Sequence, residues 1–225
     1  MIPRFIGLCL SALVLAGCGS NSTETEVTKA LRELVQRPAK KRAEAEGRKA
    51  VLSITRAVVD AAAVSLIRVR LEGTGAVSTM TVIDVKDNGS AWAGPDGGVL
   101  YFRNGVLFGS RGLGQDLMTM AAPPLAREIA DGHSRRRYRY LDGDELLVTL
   151  HVACHTRIEG PRRLTILGRS FQTEAVFQRC EGDRALAFEN RYWVLPGTAL
   201  VIKSQQFIAP KFGRADIETL TRQIP

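Results

Sequence analysis

The stretch Val99-Leu100-Tyr101-Phe102-Arg103-Asn104-Gly105-Val106-Leu107-Phe108-Gly109-Ser110 decides the fold. Two apolar runs flank Asn-Gly, the pair best able to take positive φ at both central positions of a two-residue turn, so the segment reads as a β-hairpin. Upstream, Trp92 stands between Gly89 and the turn Gly94-Pro95-Asp96-Gly97-Gly98. Val77 to Asp87 is rich in Val, Thr and Ile. Val64 to Glu72 alternates, with Leu66, Arg68 and Arg70 on one face and Ile67 on the other. Downstream, segments 134–141, 145–155, 162–167, 170–180, 186–194 and 199–208 are separated by Gly-, Asp- or Pro-bearing turns, and a last strand is expected within 216–221. Short, evenly spaced strands without long intervening helices predict a mainly β fold. About ten antiparallel strands should curl into a curved sheet, half-barrel or barrel. One or two short helices are expected beside it. Ser53 to Ala61 aligns Ile54, Ala57, Val58 and Ala61, and Pro123 to Asp131 has proline near its start and Gly132 just past its end.

The N-terminal end has a different character. Arg4 precedes an apolar run, Phe5 to Leu15, that would span only about 16 Å as a helix, roughly half the hydrocarbon thickness of a bilayer. It fits the core of an export signal. Leu15-Ala16-Gly17-Cys18 follows, and then the polar run Gly19-Ser20-Asn21-Ser22. Small residues before a cysteine suit signal cleavage ahead of Cys18, whose thiol would carry a diacylglyceryl thioether. A palmitate-type chain on the new amino group would make the attachment stable, since a single acyl chain binds membranes only marginally. Gly19, where an Asp would argue for inner-membrane retention, favours the periplasmic face of the outer membrane. The expected organisation is a signal peptide over 1–17, a lipidated tether with the helix Glu24 to Arg37 over 18–50, and a β-rich periplasmic domain over 51–225.

Cleavage removes Cys9 and acylation uses Cys18, which leaves Cys154 and Cys180. In an oxidising compartment this remaining pair predicts a disulfide. The formal charge of +8 becomes +7 once Arg4 is lost. Export removes nucleic acid as a partner, so anionic headgroups, an acidic polysaccharide or an acidic protein remain, beside the plainer reading of a solvated basic surface.

Signatures of chemistry are sparse, and no catalytic residue, metal or cofactor is expected. His151 and His155 lie four apart on an expected strand, about 13 Å, too far for two ligands of one ion. Gly109-Ser110-Arg111-Gly112 lacks the spacing of a nucleophile elbow. Asp142-Gly143-Asp144 is first of all a turn, and Arg111-Gly112-Leu113-Gly114 is a weak phosphate cradle because no convincing helix follows. Arg135-Arg136-Arg137-Tyr138-Arg139-Tyr140 stands out. As a strand it puts Arg135, Arg137 and Arg139 on one face and Arg136, Tyr138 and Tyr140 on the other. The first face would be a row of guanidinium forks suited to carboxylate or phosphate groups, or simply a solvated surface over a tyrosine-lined core.

Several of these segments occur together in a known pattern. The cleavage motif before Cys18, Arg111-Gly112-Leu113-Gly114-Gln115-Asp116-Leu117-Met118, Arg137-Tyr138-Arg139-Tyr140-Leu141-Asp142-Gly143, Cys180-Glu181-Gly182 and Asn190-Arg191-Tyr192-Trp193 follow one another in order. From about Thr28 onward the chain resembles the YjbF family of lipoproteins, also called group 4 capsule polysaccharide lipoproteins (GfcB-like). The resemblance implies a β-rich lipoprotein serving capsule or exopolysaccharide production. It also implies a periplasmic companion and an outer-membrane β-barrel as partners, and no catalytic residues. The expected role is a non-catalytic binding or assembly factor. A carrier sheltering a lipid or lipid-linked glycan in the curled sheet, and a glycan-modifying enzyme, are the alternatives.

Overall fold

The computed structural model describes residues 54–87, 89–141, 146–198 and 200–221. All of these belong to one compact unit. The expected signal peptide, Cys18, the expected tether with its helix over Glu24 to Arg37, and the expected turn at Asp142-Gly143-Asp144 lie outside the described residues.

Twelve strands among the described residues form one antiparallel sheet. They are β1 (Leu66–Leu71), β2 (Val77–Lys86), β3 (Gly89–Ala93), β4 (Val99–Arg103), β5 (Val106–Arg111), β6 (Leu117–Ala121), β7 (His133–Leu141), β8 (Leu147–Ile166), β9 (Arg169–Gly182), β10 (Ala187–Val194), β11 (Val201–Ala209) and β12 (Gly213–Thr219). The spatial order is β5-β4-β3-β2-β1-β12-β11-β10-β9-β8-β7-β6. Consecutive strands are thus paired, apart from β5 and β6 at the two edges, and β12 returns to pair with β1. The sheet curls into a nearly closed barrel, and its two edge strands meet through side chains. Ser110 Oγ on β5 accepts a hydrogen bond from the Leu117 N–H on β6 (2.9 Å), and Arg111 Nη1 donates to the Leu117 carbonyl (3.2 Å). The fully buried Ser110 is therefore a seam fastener, not a nucleophile.

The Asn104-Gly105 turn has the expected geometry, with φ of +49° and +75°. Gly105 is also needed for space, because a Cβ there would lie 2.6 Å from Val201 Cβ on β11. The β4–β5 turn thus reaches across the interior. Gln206 on β11 donates to the Gly105 carbonyl (2.9 Å) and accepts from the Leu107 N–H (2.9 Å).

Three details differ from expectation. Segments 145–155 and 162–167 are one strand, since Gly160-Pro161 is passed by a bulge at Ile158/Gly160 rather than by a turn. β3 and β6 were not expected as strands. Each has five residues, too few for an alternation to register above the neighbouring Gly and Pro turns.

The antiparallel order gathers the strand ends at two rims. At one rim lie α1 (Arg56–Ala61) and α2 (Leu125–Asp131). Thr55 caps α1, its side chain accepting from the Val58 N–H, while Gly132 ends α2 in the left-handed conformation (φ +70°). α1 buries Val59 against Leu66, Ile166, Ile202 and Leu220 in a small second core. Arg56 clamps this corner by donating to the carbonyls of Leu220 (2.7 Å) and Ile166 (3.0 Å). α2 turns Leu125 and Glu128 into the main core. That core fills the interior with Trp92, Leu100, Phe102, Tyr138, Tyr192 and Phe207, among others. Phe188 and Phe207 stack at 4.1 Å, with Tyr138 edge-on to both. Among the described residues no helix is long and apolar enough to cross a membrane.

Cys154 and Cys180 form a disulfide between directly opposed positions of β8 and β9. Both are buried, on the face opposite the exposed His151 and His155.

Candidate functional site

β7 alternates as its sequence requires. Ser134, Arg136, Tyr138 and Tyr140 are buried, while Arg135 and Arg137 are exposed and Arg139 is half-buried. On the outer face Arg137 lies between Ala121 of β6 and His151 of β8, and Arg135 lies beside Ala153, which is itself opposite Glu181 of β9. These small neighbours leave an open depression of about 670 Å³, lined by Pro123, Arg135, Arg137, His151, Ala153 and Glu181 among others. Adjacent forks on one strand face repeat every ~6.8 Å, close enough to share one polyanion.

Several cations on the outside of the barrel are already paired. Arg179 meets Glu181 (2.8 Å), Arg157 meets Glu159 (3.1 Å), Arg70 meets Asp216 (2.9 Å) and Arg214 meets Glu72 (2.9 Å). Arg68 and Lys203 share Glu218. Arg135 and Arg137 have no carboxylate partner among the described residues. Their forks are therefore free to take an external anion bidentately. Arg139 differs, because its Nε is buried without a hydrogen-bond partner. The expected row of three thus resolves into two open forks and one half-covered cation.

The edge of the depression is held by His151 and Asp183. Asp183 Oδ2 accepts from the His151 backbone N–H (2.8 Å) and lies 3.1 Å from its Nδ1. These two hydrogen bonds, backbone first, hold the Asp183 carboxyl below its ordinary value. Gly182 precedes it where β9 approaches β8, and a Cβ there would fall 2.0 Å from the His151 carbonyl oxygen. His151 is thus an anchor for the turn after β9, and among the described residues no cluster of three or more His, Cys, Asp or Glu side chains could hold a metal.

Beneath the basic face lies a polar network that the sequence did not disclose. Glu128 of α2 is 1% exposed and Arg136 is 3% exposed, and they form an ion pair in the core. Glu128 Oε1 accepts from Arg136 Nε (2.9 Å) and Ser134 Oγ (2.6 Å), and Oε2 accepts from Arg136 Nη2 and Gln178 Nε2 (3.2 Å). Gln178 continues to Thr156 (3.0 Å) and Asn190 (2.9 Å), and Asn190 accepts from the Phe207 N–H (2.7 Å). With its carboxylate met by four donors, the buried pair is satisfied and fixes the β7 backbone on which the outer forks sit.

The remaining sequence candidates are structural. Asp116 accepts from the N–H groups of Gly112 (2.9 Å) and Leu113 (3.0 Å). The Arg111-to-Gly114 loop therefore spends its donors on its own carboxylate and has none of these left to cradle a phosphate. Tyr192 is a core residue, whereas Trp193 faces outward beside Lys203. Arg191 lies 5.4 Å from the Phe177 ring, without a carboxylate partner among the described residues.

Comparison with known proteins places this architecture. The hypothetical lipoprotein YmcC from Escherichia coli (K12) superposes with a TM-score of 0.68 at 18% identity, over 91% of this chain and 100% of that one. A putative exported protein with a YmcC-like fold from Bacteroides fragilis aligns at a TM-score of 0.36 and 9% identity, over 70% of this chain and 93% of that one. No curated protein shows significant sequence similarity to the chain. The family model described as "Group 4 capsule polysaccharide lipoprotein gfcB, YjbF" matches residues 28–220, which span every strand of the barrel. The chain therefore belongs to the YjbF family of group 4 capsule polysaccharide lipoproteins.

Proposed function

We propose that this protein is a lipid-anchored, non-catalytic binding and assembly factor for capsule or exopolysaccharide production, held at the periplasmic face of the outer membrane through Cys18. The family description supports the link to capsule polysaccharide. The anchor rests on the export signal and the small residues that lead into Cys18. On this reading the outer face of β7 meets an acidic polysaccharide or the acidic surface of a periplasmic or outer-membrane partner from the same export system. One observation carries it. Arg135 and Arg137 are exposed on one face of one strand, without a carboxylate partner among the described residues, over a depression large enough to admit a sugar chain.

The test is charge reversal on a rigid strand. In the variant R135E/R137E, binding to polygalacturonate should fall at least tenfold, and the salt dependence of binding should flatten, since two cations that face the polyanion are lost. The melting temperature should stay within about 2 °C of the parent, because exposed substitutions away from core features rarely shift stability by more than ~0.5 kcal/mol. Unchanged polyanion binding would remove the basic face from the account.

A further inference from the structure

The rim opposite α1 and α2 is hollow. There, the ends of β7 and β11 and the turn joining β9 to β10 enclose a cavity of about 520 Å³, within the size range of small-molecule sites. Its walls include Tyr140, Val148, Leu150, Leu186 and Pro210, and Asp183 and Arg184 stand at its edge. Tyr140 is 2% exposed, yet its hydroxyl has no hydrogen-bond partner among the described residues. Burial pushes this phenol upward, so it keeps its proton and can both donate and accept. A buried hydroxyl left unmatched is costly, and such groups call for an explanation. Arg184 and Ala185 add a second irregularity, both left-handed at φ +56° and +55°. Asp183 beside them is fixed by His151, which leaves Arg184 without an ion-pair partner among the described residues.

We propose that this mouth binds one sugar residue of a glycan chain as a neutral hydroxylated ring. The aliphatic and aromatic walls suit the C–H face of a pyranose, Tyr140 Oη meets a ring hydroxyl, and Asp183 and Arg184 take further hydroxyls at the edge. An acyl chain would leave the Tyr140 hydroxyl unmatched and would lie against two charges. The ligand class rests on the polysaccharide reading above; this mouth shares no lining residue with the β7 depression, and Asp183, hydrogen-bonded to His151, stands between the two.

Saturation-transfer NMR on the detergent-solubilised lipoprotein tests it, with the methyl glycosides of glucose, galactose and N-acetylglucosamine as probes. At least one should show transfer. Y140F, which removes only the oxygen, should weaken that binding about fivefold or more, the worth of roughly one hydrogen bond. Its melting temperature should be unchanged or higher, because no partner loses a bond. L186W, which fills the cavity, should abolish the signal. R135E/R137E should keep the glycoside signal while losing polygalacturonate. The proposal is overturned if none of the three glycosides shows transfer, if Y140F binds as the parent does, or if phospholipid co-purifies with the parent and is lost in L186W. Polygalacturonate binding that survives any of these results would leave the β7 reading standing and remove only this one.

Discussion

At the scale of single residues, Glu128 and Arg136 matter most to the barrel and are hardest to read. Neutralising Glu128 strands a guanidinium in the core, which costs ~3–5 kcal/mol, whereas replacing both partners by apolar groups of similar volume is often neutral. Glu128→Gln should therefore lower the midpoint of chemical denaturation strongly, and the double variant E128L/R136M should recover most of the loss. Equal destabilisation by the single and double variants, measured in urea, would show that the pair is not coupled. The alternation of β7 already placed Arg136 beside Tyr138 and Tyr140 on one face. Its partner could not be read, because Glu128 lies on a seven-residue helix whose seating against the barrel leaves no local pattern. The open forks were legible for the opposite reason. Facing water on a strand needs only a period of two. That Arg139 would be half-covered depends on its neighbours across the sheet, and the sequence of β7 is silent on those.

At the scale of elements, the β1–β12–β11 outer face carries a ladder in which Arg68 and Lys203 both hold Glu218. Burial tends to raise this carboxyl, but the hydrogen bonds from Lys203 and Arg68 outweigh it and bring it below its ordinary 4.5. A carboxyl lower in the folded state than in the unfolded chain stabilises above its unfolded value, and that stability is lost as pH falls through the folded one. Denaturation followed from pH 7 to pH 3 should thus show an acid loss that is smaller in Glu218→Gln, which starts from a lower stability at pH 7. Identical pH slopes would assign the acid loss to other groups. The hairpin at Asn104-Gly105 was readable because its chemistry is local. The bulge in β8 was not, since Gly160-Pro161 has the composition of a turn and only pairing with β9 carries the strand past it. β12 was placed slightly late and its pairing with β1 was unreadable, because a contact between the first and last strands leaves no short-range trace.

At the scale of the molecule, the barrel is held by a seam of side chains between β5 and β6, a buried disulfide and a capped rim. The disulfide spans 26 residues, a loop worth ~3.5 kcal/mol in the chain-entropy model. C154A/C180A should lose stability of that order, and reductant should act slowly on the native fold, because both sulfurs are shielded. Full stability after rapid reduction would contradict this. The β class, the cysteine pair and the basic strand were legible in the chain. Closure into a barrel with one capped rim and one hollow rim depends on contacts among twelve strands. The central claim is that the outer face of β7 meets its partner in the cell envelope. A photo-reactive amino acid at position 137 of the full lipoprotein, activated in living cells, tests it most directly, with position 86 on β2 as an exposed control. The account predicts a cross-linked polysaccharide or outer-membrane protein from position 137 and not from position 86. No product at 137, or the same products from both positions, would contradict it.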